Sequence, residues 1–465
     1  RRRSSRRSSS SSASKVSDWY TGHDPPDRDS LFCHYCIQGS FLLLLQEPSH
    51  TTHNMPPTLD VVVFGATGFT GRLVAEHLFK SYGQGNNVRW AMAGRSIDKL
   101  ESLRTELASK YSADASSVDI LVADAYDRPS LDAIASSTKV LISTAGPFAI
   151  SGAPVVDACV SNGCDYVDIT GEVPFTAAMA AKHHDACKDK GVKVIHCCGY
   201  DSVPSDIGTL AIVRRAKELG KSLSHVTTIV GDSKGGVSGG TIASGMNLMA
   251  DPELRKADMS MYAYIPAGET KGHARDLWSP QYCNPAQRWL APFVMAAVNT
   301  RVVQRSNYLL NYGKENFTYA EHLGTTSWWM AATVSAATAL IGLVIRQPWL
   351  HPIVKRMVPK QGEGPSRETM MNGYYNHQLV GVCDDGDIIM GTFSDRRDPG
   401  YWGTSRLLLE AALCLALDRK ALDACPEVLK GGVLTPAAGL GVVYMQRLAK
   451  AGVVCLSESG TKSSK

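Results

Sequence analysis

From residue 58 to residue 198 the hydrophobic pattern switches repeatedly between two periods. Short apolar runs rich in β-branched residues predict strands buried on both faces. They fall at 61–64, 88–93, 119–123, 140–144, 166–169 and 192–197. Between them, apolar residues recur at helical spacing: Leu73, Val74 and Leu78, then Leu100, Leu103 and Leu107, then Leu131 and Ile134. A fourth helix is predicted to start near Pro154, at the first-turn position that proline favours, and to stop at Gly163. A fifth is predicted over 176–190, stopping at Gly191. Six strands joined by helices predict an α/β fold built on a doubly wound parallel sheet.

The pattern changes after Gly199. A helix is predicted over 207–219 and a strand over 226–230. Residues 235–241 read as a polar, glycine-rich stretch, either a hairpin turn or a loop over substrate. Residues 250–325 show no clean period and predict irregular structure. Residues 323–345 carry no charge over 23 positions, and a helix of that length would be about 35 Å long. Trp328 and Trp329 lie near one end, with Trp349, Arg346, Lys355, Arg356 and Lys360 beyond the other. This predicts peripheral or monotopic membrane attachment, ahead of a buried core helix and a true span. Residues 375–382 and 387–393 predict paired strands around Asp384-Asp385-Gly386. Helices are then predicted over 399–417 and after 431–437, before a polar tail at 458–465.

Length and composition place limits on this picture. The 465 residues suffice for two or three domains, and 44% apolar with 20% charged residues is ordinary for a globular chain. Of the net charge of +4, Arg1–Arg7 alone supplies five arginines, so no nucleic-acid partner is implied. The twelve cysteines form no framework. Cys33-x-x-Cys36 lacks a second pair, so no metal site is expected and reduced, intracellular thiols are. Residues 1–54 read as a disordered leader, with the functional protein starting near Met55, the first methionine. The expected divisions are 55–200 for nucleotide binding, 201–397 for substrate, and 398–465 as helices returning to the first unit.

The candidate chemistry lies at the strand ends. Gly65, Ala66, Thr67, Gly68, Phe69, Thr70 and Gly71 follow the first strand and open the first helix. Glycines spaced by three permit a tight turn, and the new helix turns its N–H groups and dipole toward a pyrophosphate. Arg95 and Ser96 end the second strand, where an acidic residue would select NAD; a guanidinium and a hydroxyl suit the 2′-phosphate of NADPH. Asp124 ends the third strand, either as an acceptor for adenine or as a helix cap. Ala145 and Gly146 end the fourth, where small residues admit the nicotinamide ribose. Tyr200, Asp201 and Ser202 follow the sixth and are the candidate catalytic acids, Asp201 and Ser202 reading first as caps of the next helix. The chain contains no Tyr-x-x-x-Lys pair, which argues against short-chain dehydrogenase chemistry.

The motifs GATGFTG (65–71), AGRS (93–96), STAGPF (143–148), DYVDITGE (165–172), GYDSVPSD (199–206), GEGPS (362–366), DPGYWGTS (398–405) and GGVLTPA (431–437) cover most of the chain after Met55. In these the chain resembles the saccharopine dehydrogenase-like oxidoreductases, a family that includes trans-acting enoyl reductases. The resemblance implies an NADP-type Rossmann domain, a mixed α/β second domain and a C-terminal helix returning to the first. It implies an NADPH-dependent oxidoreductase working by hydride transfer, with a lipid-linked or acyl substrate as the leading expectation. The alternatives are a nucleotide-binding membrane or lipid-droplet protein without turnover and a saccharopine-type amino-acid dehydrogenase. The expected setting is intracellular, at a lipid droplet, mitochondrial or plasma membrane or in the cytoplasm, and a homodimer is a further expectation.

Overall fold

A computed structural model describes residues 58–82, 88–235, 260–269, 279–313, 317–345, 347 and 364–459. The leader 1–54, Met55, the Cys33/Cys36 pair, residues 236–241, the basic residues after 345, Trp349, Gly362, Glu363 and the tail from 460 lie outside these.

The first sheet holds β1 (Leu59–Phe64), β2 (Trp90–Gly94), β3 (Asp119–Val122), β4 (Thr138–Ser143), β5 (Asp165–Asp168), β6 (Lys193–Ile195) and β13 (Gly432–Leu434). They run parallel in the order β13-β6-β5-β4-β1-β2-β3. Val61, Val62 and Val63 in its centre are fully buried, as helices on both faces require. Those joining its strands are α1 (Phe69–Tyr82), α2 (Ile97–Tyr111), α3 (Arg128–Ser137), α4 (Phe148–Asn162) and α5 (Val173–Lys190). Helix α4 starts six residues before Pro154, which lies inside it. Pro147 supplies a preset φ just ahead of the first turn, and an interior proline removes only one ladder bond.

The six-strand expectation becomes seven strands because β13 arrives from the far end of the chain. Three residues beginning with glycine carry too little pattern to announce a strand.

From α6 (Val203–Glu218) onward the chain builds a second sheet. Its strands are β7 (Leu223–Lys234), β8 (Gln281–Cys283), β9 (Arg288–Pro292), β10 (Thr318–Thr325), β11 (Tyr374–Cys383), β12 (Ile388–Asp395) and β14 (Val454–Ser459). Their order is β14-β12-β11-β7-β10-β9-β8, with β7 and β10 parallel and the remaining pairs antiparallel. The remaining helices are α7 (Ala296–Leu310), α8 (Trp328–Ile345), α9 (Arg367–Met371), α10 (Thr404–Leu417), α11 (Arg419–Ala424) and α12 (Pro436–Lys450). Helix α10, buried along nearly its whole length, packs on β1, β4 and β5, so the chain returns to the first sheet near its end. Helix α6 packs on β11, β12 and β14. The Tyr200–Ser202 segment therefore crosses from one sheet to the other.

Two further expectations are corrected. The irregular stretch 250–325 contains β8, β9, α7 and all of β10 among its described residues. Helix α7 buries Asn299, Thr300, Arg301, Gln304, Arg305 and Ser306, and polar residues on the inner face erase the apolar period. The uncharged stretch 323–345 is not one helix. Leu323, Gly324 and Thr325 belong to β10, and α8 begins at Trp328. Its 18 residues span about 27 Å, short of the roughly 30 Å hydrocarbon layer. No helix among the described residues is long and apolar enough to cross a membrane. Helix α8 packs on β9 and β10 and leaves Trp329, Leu340, Ile341 and Leu343 exposed.

Candidate functional site

The carboxyl ends of the first sheet form one edge of the site. Gly65 leaves β1 with φ +83°, a left-handed conformation that glycine adopts without strain. Its N–H donates to Ala93 O at 2.9 Å, and its carbonyl accepts from Gly68 N at 2.9 Å. Gly71 sits directly beneath: a Cβ there would lie 2.2 Å from Gly65 O and 2.7 Å from Thr144 Oγ1. The Thr144 hydroxyl lies within hydrogen-bond reach of the carbonyls of Phe64 and Gly65, 3.1 and 3.2 Å away, tying the turn to β4. Ala66 is buried, whereas Thr67 and Gly68 are exposed and Thr70 half-buried, and the first turn of α1 has no acidic side chain. This is a cradle of open backbone at a helix amino end, closed from below by glycine, and it fits a pyrophosphate. Phe69 is clamped away from it, edge-on to Tyr401 at 4.9 Å.

The neighbouring strand ends complete this edge. Arg95 follows β2, exposed, with no ion-pair partner among the described residues. Ser96 holds the N-cap position of α2 without a side-chain capping bond, which leaves its hydroxyl free of that duty. Asp124 accepts the N–H of Tyr126 at 3.0 Å, while the N-cap position of α3 belongs to Asp127. Ala145 is half-buried and Gly146 exposed. The loop they form is held by a residue that motif reading had not singled out as functional. Glu172 accepts Phe148 N at 3.0 Å and Ala149 N at 2.7 Å, satisfying two open donors at the start of α4. It occupies the N-cap position of α5 yet makes no side-chain cap there.

A second group of residues gathers at the crossing between the sheets. The N–H of Tyr200 donates to Thr404 Oγ1 at 3.1 Å. Its ring meets Tyr375 edge-on at 4.7 Å, and its hydroxyl lies 3.0 Å from Nε2 of the buried His377 on β11. Burial pushes the Tyr200 phenol up, as do the charges of Asp201 and Glu321, and burial pulls His377 down to about 3. Asp201 is half-buried, and burial raises it to about 6. Ser202 is buried, and its hydroxyl donates to Asn299 Oδ1 at 2.8 Å rather than capping α6. Asn299 Nδ2 and Ser205 Oγ both donate to Glu321 Oε1, at 3.1 and 3.0 Å. Burial raises Glu321 to about 8 despite those two bonds. Sequence had offered Tyr200, Asp201 and Ser202 as candidate acids, with helix capping as the preferred reading of the last two. The structure leaves Tyr200 and Asp201 at the seam and commits Ser202 to the interior.

No cluster of His, Cys, Asp or Glu among the described residues could hold a metal ion. The described cysteines are free thiols, most of them buried.

Comparison with known proteins decides the family. A model of the saccharopine dehydrogenase NADP binding domain matches residues 61–195. A putative trans-acting enoyl reductase of Mycobacterium tuberculosis is 38% identical over 423 residues, covering 86% of this chain and 97% of the relative. The chain belongs to the saccharopine dehydrogenase-like oxidoreductase family. It is an NAD(P)-dependent oxidoreductase, and NADPH is its cofactor. A trans-acting enoyl reductase of Mycobacterium leprae is 35% identical over 85% of this chain and 96% of its own length. Among solved structures, the saccharopine dehydrogenase (L-Glu forming) of Saccharomyces cerevisiae aligns with TM-score 0.45 and 13% identity, over 87% of this chain and all of the other.

Proposed function

We propose that this oxidoreductase reduces the carbon–carbon double bond of an unsaturated acyl or lipid-linked substrate. The observation that carries this reading is the character of the seam around Tyr200. A phenol, a neutral imidazole and two carboxyl groups, Asp201 and Glu321, gather there. A substrate with several carboxylates, such as saccharopine, would want convergent guanidinium groups instead. Arg214 and Arg215 are paired with Glu427 and Glu218. The relatives' names, trans-acting enoyl reductases, agree with an acyl substrate.

In this reading Gly65–Gly71 and the first turn of α1 would hold the pyrophosphate of NADPH. Arg95 and Ser96 would take the 2′-phosphate, Asp124 the adenine side, and Ala145 and Gly146 the nicotinamide ribose. NADPH, when bound, supplies hydride. The chain supplies the proton, and Tyr200 Oη is the donor because it pairs a transferable proton with a place at the strand ends. Glu172 keeps the Ala145–Pro147 loop in position. Helix α8 rests its exposed Trp329, Leu340, Ile341 and Leu343 in the surface of a membrane or lipid droplet, where such a substrate resides.

The test is NADPH consumption by the purified protein with a medium-chain α,β-unsaturated acyl thioester and, separately, with saccharopine. Turnover of the thioester alone is expected. Turnover of saccharopine alone would overturn the acyl reading.

A further inference from the structure

We propose that His377 is a positioning residue for the reduction: its Nε2–H donates to the Tyr200 oxygen, so that the phenolic proton is left for substrate and the phenolate is stabilised once that proton has gone. This rests on the reading of Tyr200 as proton donor, and it assigns a part of the reaction to the second sheet.

The argument is one of hydrogen-bond accounting. His377 is buried, and its Nε2 faces Tyr200 Oη at 3.0 Å. Its Nδ1 is buried with no hydrogen-bond partner among the described residues. Burial holds the ring neutral, so it carries one proton. With that proton on Nδ1, a buried N–H donor would be unmade. With it on Nε2, only an acceptor is unmade, and buried orphan donors are the rarer case. Nε2 is therefore the protonated nitrogen. The Tyr200 oxygen then accepts from His377, and its own O–H bonds to no other described residue.

The surroundings of the pair explain why a donor is needed. Burial disfavours a phenolate at Tyr200, and the carboxyl groups of Asp201 and Glu321 add to this wherever they are ionised. Tyr375, packed edge-on against both rings, has Asp395, Asp398 and Arg406 around it. The neutral imidazole N–H is the group that meets the phenolic oxygen directly.

The step balances without further reagents. Reduction of the C=C bond breaks its π component. One carbon gains hydride with its electron pair from the reduced nicotinamide, and its neighbour gains the proton from Tyr200 Oη. The phenolate left behind is held by His377 and regains its proton from water, while His377 stays neutral throughout.

The experiment uses the whole chain, ¹⁵N-labelled at histidine, with His377→Leu to assign the signals. A protonated Nε2 and a bare Nδ1 are expected for His377. Kinetics with NADPH and the unsaturated acyl thioester then compare His377→Leu, which removes the donor, with His377→Gln, which keeps an N–H at a similar reach. The leucine variant should lose kcat by about 10- to 100-fold, the worth of one hydrogen bond to a charged oxygen. Its KM should hold within about twofold, the enzyme still binding substrate, and glutamine should restore most of the rate. A proton on Nδ1, or equal behaviour of the two variants, would overturn the assignment. If the wild type turns over no unsaturated thioester, the acyl reading fails on that result, and the ¹⁵N spectrum still decides the pairing.

Discussion

Glu172 grips the start of the helix that begins at Phe148, 24 positions back in the chain, accepting its N–H at 3.0 Å and that of Ala149 at 2.7 Å. This bond fixes the loop carrying Ala145 and Gly146. Replacing Glu172 with alanine leaves a buried donor unmade, a cost of about 1–3 kcal/mol. The Glu172→Ala protein should melt at a lower temperature and bind NADPH more weakly, with Glu172→Gln intermediate in both. Thermal denaturation and calorimetry check this; an unchanged melt would show that the loop is held by something else.

Gly68 and Gly71 should fail in different ways. A Cβ at 71 would stand 2.2 Å from the Gly65 carbonyl, so Gly71→Ala must displace backbone and should destabilise the fold. A Cβ at the exposed Gly68 meets only Gly65 O, at 3.2 Å. Gly68→Ala should therefore keep its melting temperature and lose NADPH affinity by about tenfold, roughly 1.4 kcal/mol. Equal melts for the two variants would contradict the geometry.

Much of the first sheet was legible because its strands are continuous apolar runs and its turns carry glycine. The β1–glycine turn–α1 unit has the predicted order and the predicted glycine geometry. The strands β11 and β12 also announced themselves through alternation around Asp384-Asp385-Gly386. Helix α7 did not, because Asn299, Arg305 and Ser306 occupy its buried face and bond inward. His377 was equally hidden. It lies on the inner face of β11 between Tyr375 and Leu379, and its partner is 177 residues away, a relation that no local pattern encodes. Glu172 had a signal, its place in the DYVDITGE motif, but nothing in the motif says that it serves a neighbouring helix.

Glu321 should make stability fall as pH rises. Burial lifts its folded value to about 8 from an ordinary 4.5. A value raised on folding gives stability that is complete below the unfolded pKa and lost as pH passes through the folded one. The wild-type denaturation midpoint should therefore drop between about pH 5 and about pH 9. Glu321→Gln, which keeps an acceptor for Asn299 and Ser205, should flatten that drop. Identical pH profiles for the two proteins would refute a buried, protonated Glu321.

The exposed apolar face of α8 gives a membrane prediction. Trp329, Leu340 and Ile341 are 76%, 61% and 57% exposed. Changing all three to serine should abolish flotation with phosphatidylcholine–phosphatidylserine vesicles and leave the melting temperature unaltered, since these side chains support no core. Continued flotation would place the attachment elsewhere.

The proposed function puts the dinucleotide on the amino end of α1 with its 2′-phosphate beside Arg95. Titration calorimetry of NADPH and NADH, on the wild type and on Arg95→Asp, tests this directly. NADPH should bind the wild type at least about tenfold more tightly than NADH, a difference of roughly 1.4 kcal/mol. The exposed substitution should erase that preference without changing the melt. Equal affinity of the wild type for both nucleotides, or a preference that survives in Arg95→Asp, would contradict it.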